Sequence, residues 1–171
     1  MKSKTILFLA ITLFVYSLSV SAQNSPRAAV EAFYRFDRSH SQTFNRRNID
    51  ARKRWLSTEL YNLFLNELKR EAAYLKKNPT DKPYFGDGLP FQPLQENCEA
   101  GKGRVLQIKQ DYIEAERAVE LAGFSYPKPC KDPDPVVYTI GMLKVNGRWV
   151  IDDINYGEDT TLKQRLRRKE Y

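Results

Sequence analysis

Histidine and cysteine are nearly absent from this sequence. Of its 171 residues, one is a histidine and two are cysteines. Protein metal sites are built from several such ligands at short spacing, as in HExxH or CxxC patterns, and neither pattern occurs. The glycine-rich loop that cradles phosphates in nucleotide-binding proteins is also missing. We therefore expect no metal and no cofactor. His40, in a polar segment among serines, is expected to be exposed and not catalytic.

Long hydrophobic runs are missing except at the amino terminus. There, two lysines precede an apolar run from Ile6 to Val20, and Val20-Ser21-Ala22 provides a small-x-small cleavage signal. This arrangement is typical of a secretory signal peptide. An uncleaved anchor is the alternative, but a spanning helix needs roughly 20 apolar residues, and this run is shorter and interrupted by polar residues. We predict cleavage after Ala22, a single domain over residues 23–171, and a periplasmic or secreted protein without a transmembrane segment.

The two cysteines, Cys98 and Cys130, lie in segments that contain glycine or proline, QENCEAGKG and YPKPCKDPDP. An even and minimal number of cysteines in an exported protein indicates one disulfide. Closing a loop of about 32 residues stabilises a fold by roughly 3–4 kcal/mol in the loop-entropy estimate. A redox or metal pair is the alternative, but it has neither CxxC spacing nor a histidine partner. We predict a Cys98–Cys130 disulfide.

Positive charge exceeds negative charge, and removal of the leader's two lysines lowers the net charge from +7 to +5. Cations gather near the carboxyl terminus, at Lys163, Arg165, Arg167, Arg168 and Lys169. Such a segment could contact anionic lipid or nucleic acid. The alternative, which we favour, is a solvated helix end whose cations are stabilised by the helix dipole. Because the chain is exported and has no phosphate-binding loop, we expect no nucleic-acid partner.

Helical segments are predicted in the first half of the mature chain. Ser25 suits an N-cap and Pro26 the first helical turn. Apolar residues at helical spacing then predict a buried stripe of Ala29, Val30, Phe33, Tyr34 and Phe36. A second helical stretch, NIDARKRWL, leads to Ser57, which is expected to cap a longer helix from Thr58 to about Lys77 that stops at Asn78-Pro79.

The connection that follows, residues 79–103, is unusually long. Loops of this length are uncommon within compact domains and tend to be functional or partly disordered. The apolar residues of this loop argue against disorder. We expect them to lie on the core, and they are Tyr84, Phe85, Leu89, Phe91 and Leu94.

Strand-like patterns dominate the second half. Arg104–Gln110 alternates, and the ambiguous stretch YIEAERAVELAGF is interpreted as a strand from about Arg117 to Tyr126, although alanine and glutamate also favour helix. VVYTIGMLKVNGRWVIDDINYG is the clearest feature, because Asn146-Gly147 suits a type I′ hairpin turn, which needs positive φ at both residues. A short helix, TTLKQRLRRKE, follows. These patterns predict an α+β fold with N-terminal helices packed on an antiparallel sheet.

Two adjacent acids, Asp152 and Asp153, interrupt the apolar pattern of this hairpin. A two-residue turn pairs Val145 with Arg148 and sends the two acids to opposite faces, which argues against a dyad that shares one proton. In this register Asp152 lies across from Gly141 and is expected to be solvated. Gly141 can also mark a bulge, which would exchange the face assignments.

Asp153 is the candidate of interest among the acids. The same register places it across from Ile140 and near Tyr138, where burial would raise the pKa of its carboxyl unless a cation or an amide stabilises the charge. Asp153 is therefore the one catalytic candidate, and Tyr34, Tyr138 and Asp153 are the ligand-binding candidates. We favour the alternative that Asp153 is a structural anion tied to a basic group or a backbone amide.

Four segments carry a resemblance to a known family, AVEAFYRF, WLSTELYNLF, DKPYFGDGLPF and GRWVIDDINYGEDTTLKQRL. Together they resemble the bacterial exported proteins of the domain-of-unknown-function family DUF3828, which are similar to the nuclear transport factor 2-like (NTF2-like, also cystatin-like or SnoaL-like) cone. The resemblance implies a curved antiparallel sheet wrapped around helices, a pocket between helix and sheet, and no assigned activity. Some proteins of the wider fold are isomerases or hydratases that use an Asp with a Tyr or His. Asp153 with Tyr34 or Tyr138 would imitate that arrangement.

Three functions stay open at this point. We favour a non-enzymatic binding or interaction module for an unknown protein or small molecule. Both faces of the hairpin are apolar, so a homodimer through the sheet, or the long loop, would cover one of them. The alternatives are an isomerase- or hydratase-like enzyme that uses Asp153 as its pocket carboxylate, and an inhibitor or immunity-type antagonist of a secreted protein that presents a protruding loop, Pro83–Pro93.

Overall fold

The computed structural model describes residues 25–93, 104–125, 136–157 and 160–168. Four α-helices and four strands occur in these ranges: α1 Pro26–Arg38, α2 Arg46–Arg52, α3 Thr58–Lys77, β1 Arg104–Glu114, β2 Arg117–Ser125, β3 Val136–Val145, β4 Arg148–Asn155 and α4 Leu162–Arg167. A short 3-10 helix, Lys53–Trp55, follows α2. The strands form one antiparallel sheet in the order β1-β2-β3-β4. The predicted α+β class, with helices, an antiparallel sheet and a short C-terminal helix, is confirmed.

The predicted starts of α1 and α3 are confirmed by their caps, whereas α2 starts at Arg46, two residues before the predicted stretch NIDARKRWL. The Ser25 hydroxyl accepts a hydrogen bond from the amide of Ala28 at 3.2 Å, and Pro26 opens α1. The Ser57 hydroxyl accepts a hydrogen bond from the amide of Leu60 at 3.1 Å, and α3 ends at Lys77 with Asn78 as its C-cap. These contacts satisfy amides that the first helical turn would otherwise leave without partners.

The buried side of α1 differs from the predicted stripe at one end. Its buried residues are Pro26, Ala29, Val30, Phe33, Tyr34 and Asp37. Phe36 is only partly buried, whereas the carboxyl of Asp37 is completely inaccessible. The difference arises because Asp37 meets Arg52, which is also completely buried, at 2.6 Å.

The loop after α3 lies on the core, as predicted, through Phe85, Leu89 and Phe91, of which none is more than 6% exposed. The ring of Phe91 lies 5.1 Å from that of Phe33 and 5.4 Å from that of Phe64. The prediction is wrong for Tyr84, which is 47% exposed. Leu94 and the predicted Cys98–Cys130 disulfide lie outside the described residues.

The sheet presents two different faces. Its inner face is covered by α1 and contributes to the core; its buried residues include Ala118, Ala122, Phe124, Tyr138, Ile140, Met142, Ile151 and Ile154. The outer face carries Val137, 46% exposed, and Val145, 42% exposed. Since the described part of the long loop packs on helical residues, it does not cover this outer face.

The hairpin turn is confirmed, with φ of 50° at Asn146 and 77° at Gly147, and Val145 pairs with Arg148. The predicted register holds only as far as Met142, which pairs with Ile151. A β-bulge then leaves Asp152 unpaired and sets Asp153, not Asp152, across from Gly141.

The predicted position of Asp153 across from Ile140 is therefore wrong, because Ile154 occupies that place. Lys163 in α4 contacts both acids at the bulge. Its ammonium contacts the Asp152 carboxylate at 2.7 Å, and its backbone amide donates to the Asp153 carboxylate at 2.9 Å. In a regular strand, adjacent side chains point to opposite faces. The extra residue of a bulge changes the direction of the side chains beside it.

No helix within the described ranges has both the length and the apolar character needed to cross a bilayer.

Candidate functional site

A cleft of about 610 Å³ opens at the end of the sheet where β3 begins and β4 ends. We call it the tyrosine cleft. Its lining residues are Tyr84, Phe85, Asp87, Gly88, Pro90, Gln92, Val136, Tyr138, Tyr156 and Arg165. The long loop, the sheet and α4 thus each contribute one wall, and a cleft of this size accommodates a small organic ligand.

Aromatic rings connect the tyrosine cleft to the core. The ring of Tyr34 lies 5.2 Å from Phe124, Phe124 lies 5.0 Å from Tyr138, and Tyr138 meets Tyr156 edge-on at 4.8 Å. The guanidinium of Arg165 lies 4.6 Å above the Tyr156 ring. Because each ring is held by the next, the cleft surface is ordered before any ligand arrives, which reduces the entropic cost of binding.

A second guanidinium, that of Arg168, contacts a tyrosine that lines the cleft. Arg168 lies 3.5 Å above the ring of Tyr84 and binds the buried carboxylate of Glu67 at 2.5 Å. This contact attaches the exposed loop tyrosine to the C-terminal segment. The cation that lines the cleft itself is Arg165.

The floor of the cleft is polar and buried. Gln92, 7% exposed, donates its side-chain amide to the Asp37 carboxylate, which Arg52 also binds. This contact leaves the Gln92 carbonyl oxygen without a hydrogen-bond partner among the described residues. The Tyr156 hydroxyl donates to the backbone oxygen of Pro90 at 2.9 Å. A buried acceptor without a partner carries a free-energy cost, which a ligand donor would remove.

Two buried tyrosines of this region, Tyr34 and Tyr156, stay protonated near neutral pH. Burial raises the pKa of Tyr34 well above the usual value for a tyrosine, and the negative charge of Asp37 acts in the same direction. Burial also raises the pKa of Tyr156, with a further contribution from Tyr138. Both hydroxyls are therefore neutral hydrogen-bonding groups and not bases.

The three ligand-binding candidates from the sequence do not form one site. Tyr138 lines the tyrosine cleft, and Tyr34 lies behind it through Phe124. Asp153 follows the bulge and precedes the inner-face residue Ile154, so alternation directs its side chain to the other face. Its carboxylate accepts from the amides of Ile154 and Lys163, each at 2.9 Å. Tyr34, Tyr138 and Asp153 therefore do not converge.

Asp152 is also engaged, although it was expected to be solvated. The Lys163 ammonium lies 2.7 Å from both Asp152 and Glu59, so it joins β4 to the first turn of α3. Burial by itself would lower the pKa of Lys163, but the hydrogen bonds to Asp152 and Glu59 outweigh this effect and raise the pKa. The hydrogen bond from Lys163 lowers the pKa of Glu59. Both acids of the hairpin thus attach α4 to the sheet.

The basic C-terminal segment is occupied by intramolecular contacts. Arg167 binds Glu59, Arg168 binds Glu67 and Arg165 lies over Tyr156. Lys169 lies outside the described residues. The described cations of α4 therefore lie against the protein and do not form a separate basic face.

His40 lies outside the tyrosine cleft. It is exposed, stacks on Phe36 at 3.6 Å between ring centres, and its Nδ1 is 2.8 Å from the Phe36 backbone oxygen. Within the described ranges, no cluster of three or more histidine, cysteine or acidic side chains is placed to hold a metal ion.

Glu120 is a buried acid that the sequence reasoning missed. It lies on the inner face of β2 across from Ile140 and is completely inaccessible. Neither carboxyl oxygen has a hydrogen-bond partner in the described part of the chain. Burial raises the pKa of Glu120 to about 7, Arg27 lowers it and Glu31 raises it. The alternation in AVELAGF, with Glu120 between two buried alanines, was the signal that could have found it.

Glu120 is expected to make stability depend on pH. Because the pKa of about 7 in the folded protein exceeds the usual 4.5, folded Glu120 holds its proton more tightly than unfolded Glu120. The contribution of Glu120 to the free energy of unfolding is most favourable below pH 4.5 and is lost as the pH rises to about 7. Glu120→Gln should therefore stabilise the protein at pH 8 by on the order of 1–2 kcal/mol and have little effect at pH 5, as measured by urea denaturation.

Glu116→Gln is the matched control for this experiment, because Glu116 is exposed in the turn between β1 and β2. Its substitution should leave the pH dependence unchanged. If the difference in the free energy of unfolding between Glu120→Gln and the unmodified protein is the same at pH 5 and at pH 8, Glu120 is not a buried acid with a raised pKa.

Comparison of the chain with models of protein families, with curated proteins and with solved structures gave no match.

Proposed function

We propose that this protein is an exported, non-enzymatic binding module of the NTF2-like type, related to the DUF3828 proteins. Support for this fold comes from the four segments that resemble the family and from the order of the elements, in which helices precede an antiparallel sheet and a short helix ends the chain. Support for export comes from the leader-like sequence that ends at Ala22. The mature protein would act in the periplasm or outside the cell.

The observation that carries the binding proposal is the tyrosine cleft. Three tyrosines offer aromatic faces, Arg165 offers a cation, and Gln92 offers a buried carbonyl oxygen in one cleft of about 610 Å³. Aromatic faces favour a ring-shaped ligand body. The guanidinium favours a carbonyl or negatively charged group, and the Gln92 oxygen favours a hydroxyl or N–H donor. We propose a small cyclic ligand that carries both kinds of polar group.

The enzyme alternative receives less support. A base at Asp153 would need a cleft that reaches its carboxylate. That carboxylate instead accepts hydrogen bonds from two backbone amides, and Asp153 does not line the tyrosine cleft. The inhibitor alternative required a protruding loop at Pro83–Pro93, yet Phe85, Leu89 and Phe91 hold this loop on the core.

Ligand-observed nuclear magnetic resonance with a panel of cyclic probes, namely methyl glycosides and hydroxylated aromatic acids, tests the proposal. We expect at least one probe to bind saturably. Tyr84→Ala combined with Arg165→Gln should weaken that binding about tenfold, because an aromatic contact and a cation contact are lost together. Tyr84 is 47% exposed, so its replacement leaves the core intact.

Tyr112→Ala is the matched control, because Tyr112 is 49% exposed but lies on β1, outside the cleft. This variant should bind as the unmodified protein does. The proposal is wrong if no probe binds, or if the Tyr112 variant loses as much affinity as the cleft variant.

The homodimer stays a prediction. The exposed Val137 and Val145 on the outer face of the sheet support it, since a second copy of the sheet could cover them.

A further inference from the structure

A second recessed surface lies at the opposite end of the sheet, beside the turn between β3 and β4. It consists of a cleft of about 560 Å³ and a smaller one of about 140 Å³, which share Arg54 and Arg148. We call the two together the hairpin groove. Its walls also carry Lys53 and Thr58 in the larger cleft and both tryptophans, Trp55 and Trp149, in the smaller one.

Aromatic rings contact two of the three cations of the hairpin groove. The guanidinium of Arg54 lies 4.0 Å above the ring of Trp55, and the ammonium of Lys53 lies 5.0 Å from the ring centre of Tyr61. A cation–π contact orients a cation but leaves its net charge in place. In the described ranges, Lys53, Arg54 and Arg148 form no ion pair, unlike Lys163 and Arg167 of α4. The groove thus keeps its positive charge.

The other polar groups of the groove also fit an anion. Trp55 is 6% exposed, and its indole N–H has no acceptor among the described residues. Thr58, the first residue of the twenty-residue helix α3, lines the larger cleft, and the amino end of a helix attracts negative charge. Asp50 lies at the rim, but Arg46 and the Tyr61 hydroxyl bind its carboxylate at 2.8 and 2.7 Å.

We propose that the hairpin groove binds a tetrahedral oxyanion, a phosphate or sulfate group of a small ligand. Two guanidiniums and an ammonium line one recess. Such a set suits a group with three or more acceptor oxygens better than a planar carboxylate, which a single arginine satisfies in a bidentate contact. This site is separate from the tyrosine cleft and does not depend on the function proposed for it.

Tryptophan fluorescence provides a direct test, because the chain has only two tryptophans and both line the groove. Sodium phosphate is titrated into the mature chain at constant ionic strength, with sodium chloride replaced in proportion. We expect a saturable change in emission. Arg54→Gln combined with Arg148→Gln should raise the dissociation constant for phosphate at least about tenfold. Both arginines are exposed, so the folded structure should persist.

Arg117→Gln is the matched control, because Arg117 is an exposed arginine of β2 outside the groove. It should bind phosphate unchanged, as should Tyr84→Ala at the other end of the sheet. An emission change that does not saturate, or an equal loss of affinity in the Arg117 variant, overturns the proposal. Binding to phosphatidylglycerol vesicles without binding to free phosphate also overturns it, because the groove would then be part of a general electrostatic membrane contact.

Discussion

Arg52→Met is expected to lower the free energy of unfolding by about 3–5 kcal/mol, because it leaves the buried carboxylate of Asp37 without its counter-ion. Asp37 and Arg52 are both completely inaccessible and lie 2.6 Å apart. Arg52 also donates to the backbone oxygens of Asn48 and Ser41, at 2.9 and 3.1 Å. The loss should therefore also release the segment between α1 and α2. Urea denaturation measures the change in the free energy of unfolding.

The double variant Asp37→Leu with Arg52→Met distinguishes the cost of leaving one buried charge unpaired from the cost of losing the ion pair. Replacing both charges removes the unpaired ion, so much of the lost stability should return. Arg46→Met is the control, because the Arg46–Asp50 pair is exposed, at 63% and 43% for the two side chains, and exposed pairs contribute about 1 kcal/mol or less. A cost for Arg52→Met no larger than that for Arg46→Met would contradict the burial of the pair.

Phe91→Ala is expected to cost about 3–5 kcal/mol, the usual range for removing a buried aromatic side chain. Phe91 is 1% exposed and contacts the rings of Phe33 and Phe64, so the loop supplies a central part of the core. Because Gln92 follows it directly, the same substitution should loosen the floor of the tyrosine cleft. Equilibrium denaturation and probe binding measure the two effects.

Tyr84→Ala in the same loop is the control for Phe91. Tyr84 is 47% exposed and its ring lies 3.5 Å from the guanidinium of Arg168, so its loss should cost about 1 kcal/mol or less. If the two substitutions cost the same, the loop lies over the surface without being part of the core.

Arg52 and Phe91 both support the buried floor of the tyrosine cleft around Gln92. Arg52 binds Asp37, Asp37 accepts from Gln92, and Gln92 lines the tyrosine cleft. An ion pair between α1 and the residue that ends α2 therefore sets the position of a polar group in the proposed ligand site. Loss of Arg52 should consequently weaken probe binding as well as stability, although Arg52 itself does not line the cleft.

The sequence by itself determined the features that depend on a few neighbouring residues. Ser25 and Ser57 cap helices because an N-cap hydroxyl bonds to an amide only three positions ahead. Asn146-Gly147 makes the turn because these residue types tolerate positive φ. Alternation indicated strands in the second half of the chain for the same reason, since it needs only the chain itself. Beyond the bulge in β4, however, it assigned Asp153 and Ile154 to the wrong faces.

The tertiary structure alone decided which polar groups meet. The roles of Asp152 and Asp153 depended on Lys163, a residue on another element, whose contacts accompany the bulge that changes the register. Asp37 is buried because Arg52 lies beside it. The tyrosine cleft exists because a loop, two strands and a helix meet at one place. Such contacts join residues far apart in the chain. Local sequence patterns miss them because their interaction energy depends on distance in space and not on separation in sequence.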